Sequence, residues 1–402
     1  MRRLTLLLAA LAALSCSSAP RQESMAELRA RVMERARVQT MFMDSLLTDG
    51  RCPRTFQGDT LVTSDIGWWC SGFYPGVLWQ VYEATEDTLF RDLAVKHTLP
   101  LAGLLERNTD HDIGFQLMSS FGKMARHLPS GTPSCHSDEP SCHSERSEGI
   151  SPQTVLARGA EILAARLDPA VGVIRSWNGN RWNYPVIIDN MMNLELLMEY
   201  GDRAVAEKHA LTTAANHFRE DGTTWHLVDY ADDGSVLGKQ TVQGYADDSA
   251  WARGQAWALY GYAMMAREER KIGNEELAKT FYEVSAKLEG WILPRLPEDG
   301  VPYWDFSQTD CRDASAGAII ACGLLQLWEF RGRTPDDPAL AMAERILRTL
   351  ASPEYLAEPR TLGGFLLKHS VGSLPGHSEV DVPLTYADYY FLEALSLYPP
   401  EH

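Results

Sequence analysis

The chain has 402 residues, 45% hydrophobic and 23% charged, a globular composition long enough for one large domain or two modest ones. With 37 Lys and Arg against 54 Asp and Glu, its net charge of −17 excludes nucleic acid as a partner, since phosphate binding needs a basic surface. The same charge repels an acidic polysaccharide unless a cation sits in the pocket itself.

At the start, Arg2 and Arg3 precede an apolar run from Leu4 to Leu14. That run is too short to cross a bilayer as a helix but suits a signal peptide. It ends in Ala13-Leu14-Ser15-Cys16, which resembles a bacterial lipoprotein site with Cys16 acylated, although Ala13 stands where Leu is usual. The alternative is an ordinary signal peptide cut nearby. Either way, residues 1–20 predict export, to the periplasm or as an outer-membrane lipoprotein of a bacterium. The remaining cysteines are Cys52, Cys70, Cys135, Cys142, Cys311 and Cys322. They are too sparse for a disulfide framework, and Cys52 with Cys70 is the conceivable bridge.

Beyond the signal the chain reads as helix upon helix. Amphipathic spacing predicts helices over Met25–Leu47, Gly76–Leu105, Phe115–Arg126, Thr154–Arg166, Met191–Glu199 and Arg203–Phe218. It resumes at Ala252–Arg270, Asn274–Leu293, Ala314–Phe330, Ala339–Leu350 and Tyr386–Leu397. Alternating β-branched runs are scarce, so a sizeable sheet is not expected. Loops rich in Gly, Trp, Asp and Pro separate the helices at Ser64–Gly76, Arg175–Asn190 and Val301–Asp313. About a dozen helices joined by aromatic loops suggest an all-α toroid.

One segment breaks the pattern. Pro133-Ser134-Cys135-His136-Ser137-Asp138-Glu139 is followed at once by the near repeat Pro140-Ser141-Cys142-His143-Ser144-Glu145-Arg146. The two Cys-His pairs are zinc-ligand types, but a duplicated Ser-rich tract without apolar periodicity reads first as a disordered insertion, at about 129–152.

Two acidic clusters carry the chemistry: His111-Asp112-Ile113-Gly114-Phe115 and Ile188-Asp189-Asn190-Met191-Met192-Asn193-Leu194. Each Asp immediately precedes an amphipathic helix, so the plainest reading is a helix N-cap, which favours the ionised form. If both face one pocket, each carboxylate pushes the other towards its protonated form, and the pair can divide into a donor and a stabiliser. A third cluster runs from Gln243 to Trp257. Its Trp251, Arg253 and Trp257 combine aromatic faces that stack on sugar rings with a guanidinium able to grip a carboxylate in a fork. The competing reading makes Trp257 and Tyr260 core residues and pairs Arg253 with Asp247 or Asp248.

These clusters, with Asp381-Val382-Pro383-Leu384-Thr385-Tyr386-Ala387-Asp388-Tyr389-Tyr390 and the Trp-rich loop Gly67-Trp68-Trp69-Cys70, resemble the unsaturated glucuronyl hydrolases, glycoside hydrolase family 88. The resemblance runs in order from about residue 60 to 395, the Cys/His insertion excepted. It implies a single catalytic (α/α)6 barrel over residues 21–402, acting on unsaturated uronic-acid oligosaccharides left by polysaccharide lyases. The enzyme would hydrate the C4=C5 double bond of the terminal uronate. Asp189 matches the proton donor and water-activating base, and Asp112 the second essential carboxylate. Trp69, His226, Gln243, Trp251, Arg253 and Trp257 fall at pocket positions; for His226 a satisfied loop or strand histidine is the competing reading. Ser370 and Ser373 resemble a loop that meets the next sugar. No metal, nucleotide or redox cofactor is implied. The rivals are the unsaturated rhamnogalacturonyl hydrolases of family 105, an inverting glycosidase on the same barrel, and a non-catalytic sugar-binding lipoprotein.

Overall fold

The computed structural model describes residues 21–48, 50–107, 110–128 and 151–399. Along the chain its helices are α1 (Met25–Leu46), α2 (Phe73–Thr85), α3 (Thr88–Thr98), α4 (Ile113–Leu117), α5 (Lys123–His127), α6 (Pro152–Ala164) and α7 (Asn190–Tyr200). They continue as α8 (Arg203–Asn216), α9 (Ala252–Lys271), α10 (Glu275–Ile292), α11 (Ala314–Phe330), α12 (Pro338–Leu350) and α13 (Thr385–Leu397). A π-helical turn, Met118–Gly122, joins α4 to α5. There the Ser119 and Ser120 hydroxyls donate to the carbonyls of Phe115 and Gln116, which widens the helix.

Burial divides the helices into two rings. α9 is buried on every face from Ala252 to Ala266, and α11 from Ala314 to Trp328. Helices apolar all round belong inside. α12 instead buries only the stripe Ala339, Leu340, Ala343, Ile346, Leu347 and Leu350, as an outer helix must. The inner ring closes on itself: α2 packs on the π-turn, α4 on α7, α7 on α9, α9 on α11, α11 on α13, and α13 back on α2. α1, α3, α6, α8, α10 and α12 form the outer ring. The fold is an (α/α)6 barrel. Close crossing is built in where α9 meets α7: a Cβ on Gly261 would lie 2.5 Å from that of Met191.

Several helix starts follow directly from sequence. Ser24 and Glu27 make a reciprocal capping box on α1, and Asp87, Asp202, Asp313 and Asp337 each accept backbone N–H groups at the starts of α3, α8, α11 and α12. The expected helix Gly76–Leu105 is in fact broken. Glu86 adopts left-handed geometry (φ 55°), Asp87 caps a new start, and Pro100 lies in a 3-10 stretch, Leu99–Glu106. Residues that cap or lack an N–H interrupt a helix even where apolar spacing continues.

Strands are short. β1 (Cys52–Gln57) pairs with β2 (Thr60–Ser64), β3 (Leu167–Asp168) with β4 (Val173–Ile174), and β8 (Ser370–Ser373) with β9 (Ser378–Val382). β5 (Pro185–Ile187), β6 (Leu227–Tyr230) and β7 (Val236–Gln240) form a three-stranded antiparallel sheet over a small core of Val171, Val173, Tyr184, Val186, Val228 and Tyr230. β5 lies in the expected loop Arg175–Asn190, and the other strands lie between the expected helices. Cys52 and Cys70 are both free thiols, so the conceivable bridge between them is not formed. The signal segment with Cys16, and Cys135, His136, Cys142 and His143, lie outside the described residues. Of the expected insertion only Ser151 and Pro152 are described. They are not loop but the N-cap and first residue of α6, a pairing that suits a helix start.

Candidate active site

Four aspartates cap helices, but Asp112 and Asp189 do not. Both precede their helices in helical geometry, at φ −69° and −52°, and neither side chain makes a cap hydrogen bond. The cap expected from sequence is therefore wrong for both. Each carboxyl is instead turned to its neighbours, with side chains only 17% and 14% exposed.

The sheet sets out one wall. β5 runs through Ile188 into Asp189; His226 precedes β6; β7 leads through Thr241 and Val242 to Gln243. The Ile188 N–H donates to the His226 carbonyl at 2.9 Å, holding Asp189 beside His226. His226 Nδ1 accepts backbone N–H groups of Val242 (3.0 Å) and Gln243 (3.2 Å). Burial and Arg253 push its pKa down to about 3, so the ring is neutral. With Nδ1 accepting, the proton lies on Nε2, which faces Asp189 Oδ2 at 3.7 Å.

From His226 the contacts close a ring. Trp251 packs against the imidazole at 4.5 Å, and the Gln243 side-chain Oε1 accepts from Arg253 at 3.0 Å. Arg253 lies 5.3 Å from the Tyr386 ring, which packs on Trp69 at 4.7 Å. Trp69 meets Phe115 at 5.7 Å, Phe115 meets Trp257 at 5.1 Å, and the Trp257 indole returns to Asp189. Around this ring, Asp189 Oδ2, His226 Nε2, Tyr386 Oη and Ser370 Oγ are buried without a hydrogen-bond partner. Each such orphan costs about 1–3 kcal/mol, so a cluster of them marks a place built for a polar ligand.

The electrostatics set the two carboxyls apart. Burial raises Asp189 to about 6, with Arg253 and Trp257 pulling it back down. Asp112 stands well above the usual carboxylate range, through burial first and then the charges of Asp110 and Asp189. Burial thus opposes the helix N-terminus, which by itself favours the ionised form. His111, whose Nε2 lies 3.4 Å from Asp112 Oδ1, is pushed to about 3 by burial and offers no cation.

The fold brings Trp69, His226, Gln243, Trp251, Arg253 and Trp257 together around Asp189, but gives some of them contacts other than those expected. Arg253 is not a free fork. Its terminal nitrogens donate to Asp313, to the Val371 and Gly372 carbonyls, and to Gln243, so it binds α9 to β8. Its partner is Asp313, not Asp247 or Asp248, because the helix turns it inward. Its charge still reaches Asp189 and His226. Trp257 is fully buried and Trp251 is 3% exposed, so both back the site as core residues. Trp69 keeps a partly exposed ring. Ser370 brings an orphaned hydroxyl, whereas the Ser373 hydroxyl accepts from Gly376 within its own hairpin turn. Sequence reasoning missed Tyr386, Asn193 and Asp110. All three lie in or beside the quoted motifs, and Asn193 shares a helix face with Asp189 at i, i+4, a signal that was available.

Gly114 fixes how α4 meets α7. A Cβ there would fall 2.6 Å from the Cα, Cβ and Oδ1 of Asn193, while Asn193 Oδ1 accepts the Phe115 N–H at 2.7 Å. Gly114→Ala must push Asp112 away from Asp189. An overpacking penalty of about 1–3 kcal/mol is expected, with kcat/KM lowered at least about tenfold. Wild-type kinetics and melting temperature in this variant would show that the crossing is slack.

No protein-family model matches the chain. It is 38% identical to an unsaturated glucuronyl hydrolase of Formosa agariphila over 344 residues, covering 81% of this chain and 79% of that one. It is 30% identical to an unsaturated chondroitin disaccharide hydrolase of Streptococcus pneumoniae over 373 residues, covering 88% and 87%. A crystal structure of an unsaturated glucuronyl hydrolase specific for heparin superposes with a TM-score of 0.82 at 38% identity, covering 92% of this chain and 96% of that chain.

Proposed function

The chain belongs to the unsaturated glucuronyl hydrolases, and on that premise we propose how its site removes the 4,5-unsaturated uronic acid from a lyase-made oligosaccharide. A proton passes from Asp189 to C4 of the enoate while water adds at C5. Asp189, now ionised, takes the proton from that water. The hemiketal so formed opens, the glycosidic bond breaks, and the shortened sugar leaves. Asp112 supports this exchange from the other side. Positioned acid–base groups contribute on the order of 10²–10⁴ in rate.

The observation that carries this reading is the facing pair Asp189 Oδ2 and His226 Nε2, 3.7 Å apart and otherwise unpaired. It supports a site for a small polar group between a proton donor and an acceptor. An inverting attack on a saturated sugar would also use a raised carboxylic acid, so the saturated counterpart in the assay separates the two readings. A non-catalytic sugar-capture role would leave both aspartates dispensable, which their substitution by Asn tests. Trp69, Gln243 and Ser370 are suited to contact the sugar, and Arg253 to supply the positive field that a uronate needs in so acidic a protein.

The test is direct. An unsaturated disaccharide should lose its ultraviolet enoate absorbance on addition of the protein, while the saturated counterpart survives. Lyase products of heparin and chondroitin, named for the relatives, form the first panel. Because Asp189 must be protonated to begin, kcat/KM should fall about tenfold per pH unit above about 6. Cleavage of the saturated sugar, or a rate that climbs through that range, would refute the scheme. Residues 1–20 support an exported enzyme, anchored through Cys16 where that residue is acylated.

A further inference from the structure

We propose that Asp110 is a positioning residue for the acid–base pair, its carboxylate both building the turn that presents Asp112 and setting the charge that Asp112 carries. The proposal rests on the reading of Asp112 and Asp189 as the working pair. Asp110 Oδ1 accepts the Asp112 backbone N–H at 3.0 Å, an Asx turn directly before α4. On its far side, His111 N–H donates to the Ser176 carbonyl at 3.0 Å, tying the turn to the strand region that leads to β5. These bonds hold Asp112 in helical geometry with its side chain free of the helix end.

The same turn packs two carboxyls together, with a third opposite. Asp112 is faced by Asp110 and His111 from its own turn, Asp189 from the start of α7, and Arg166 from beyond α6. His226 and Arg253 face Asp189. The two histidines are neutral, and the Arg166 guanidinium donates to the Arg175 and Ser176 carbonyls. Two guanidinium charges, Arg166 and Arg253, thus face three carboxyls, one short of balancing them all. Asp110 is raised by burial alone, whereas Asp112 is raised by burial and by both neighbours, so Asp110 ionises first and Asp112 keeps its proton. A neutral Asp112 donates a hydrogen bond into the site and adds no repulsion to Asp189, whose own pKa reflects burial, Arg253 and Trp257.

Asp110→Asn tests this, because the amide oxygen preserves the Asx turn while the charge is removed. Infrared difference spectra would follow the carboxyl band of protonated Asp112, assigned by its disappearance in Asp112→Asn. In Asp110→Asn the band should titrate away at least about one pH unit lower than in wild type, with unchanged melting temperature. The alkaline limb of kcat/KM, which Asp189 sets from about 6, should turn steeper at a correspondingly lower pH, as Asp112 ionises within it. An unmoved band, or a loss of rate equal at every pH, would reduce Asp110 to a turn former and overturn the proposal. The band reports without turnover, so failure of the Asp112–Asp189 reading would appear separately, as full activity in Asp112→Asn.

Discussion

Asp189→Asn is expected to abolish the ultraviolet bleaching of an unsaturated disaccharide, lowering kcat by about 10³ or more while substrate still binds. The amide preserves shape and volume, and Asp189 makes no helix cap whose loss could confuse the result. It cannot give up a proton at neutral pH or recover one from water. Removing a carboxyl from a buried site also lifts a desolvation penalty, so the variant should melt no lower than wild type. Binding should be measured calorimetrically alongside the rate. Bleaching at even a tenth of the wild-type rate would take Asp189 out of the proton path.

Arg253→Ala should bring the largest loss of stability. Its side chain is 3% exposed and holds Asp313, a wholly buried carboxylate that also caps α11. Removing the cation leaves that charge unpaired, and the Val371 and Gly372 carbonyls lose their donor. Breaking a buried pair in this way costs about 3–5 kcal/mol, which for a protein of this size lowers the melting temperature by about 5 °C. KM should rise with it, since Gln243 and the β8 hairpin are no longer fixed beside the site. Arg253→Lys restores the charge but not the planar fork, so it should recover the field on Asp189 without the anchoring of β8. A stable Arg253→Ala protein with unaltered KM would contradict the network.

The charged residues show why some of the site was legible in sequence and some was not. Asp112 and Asp189 were visible because each stands at a motif boundary, and His226, Gln243 and Trp69 because they lie in motifs of the same family. The role of Arg253 was not visible. Its partners Asp313, Val371 and Gly372 are 60 or more residues away, and only the closure of α9, α11 and β8 around one another brings them within reach. Tyr386 was overlooked for a similar reason. In sequence it is one aromatic among several, and its orphaned hydroxyl appears only once α13 seats it between Trp69 and Arg253.

Sequence by itself determined the helical character, most helix spans, the family and the two candidate acids, because periodicity, capping chemistry and motif order are written within short stretches of chain. The tertiary structure alone decided that the inner helices close into a ring, that neither acid is a cap, which nitrogen of His226 carries the proton, and that burial raises both carboxyls. Those properties depend on how much water is excluded and which charges are left facing one another. Both are set by residues that meet only after folding.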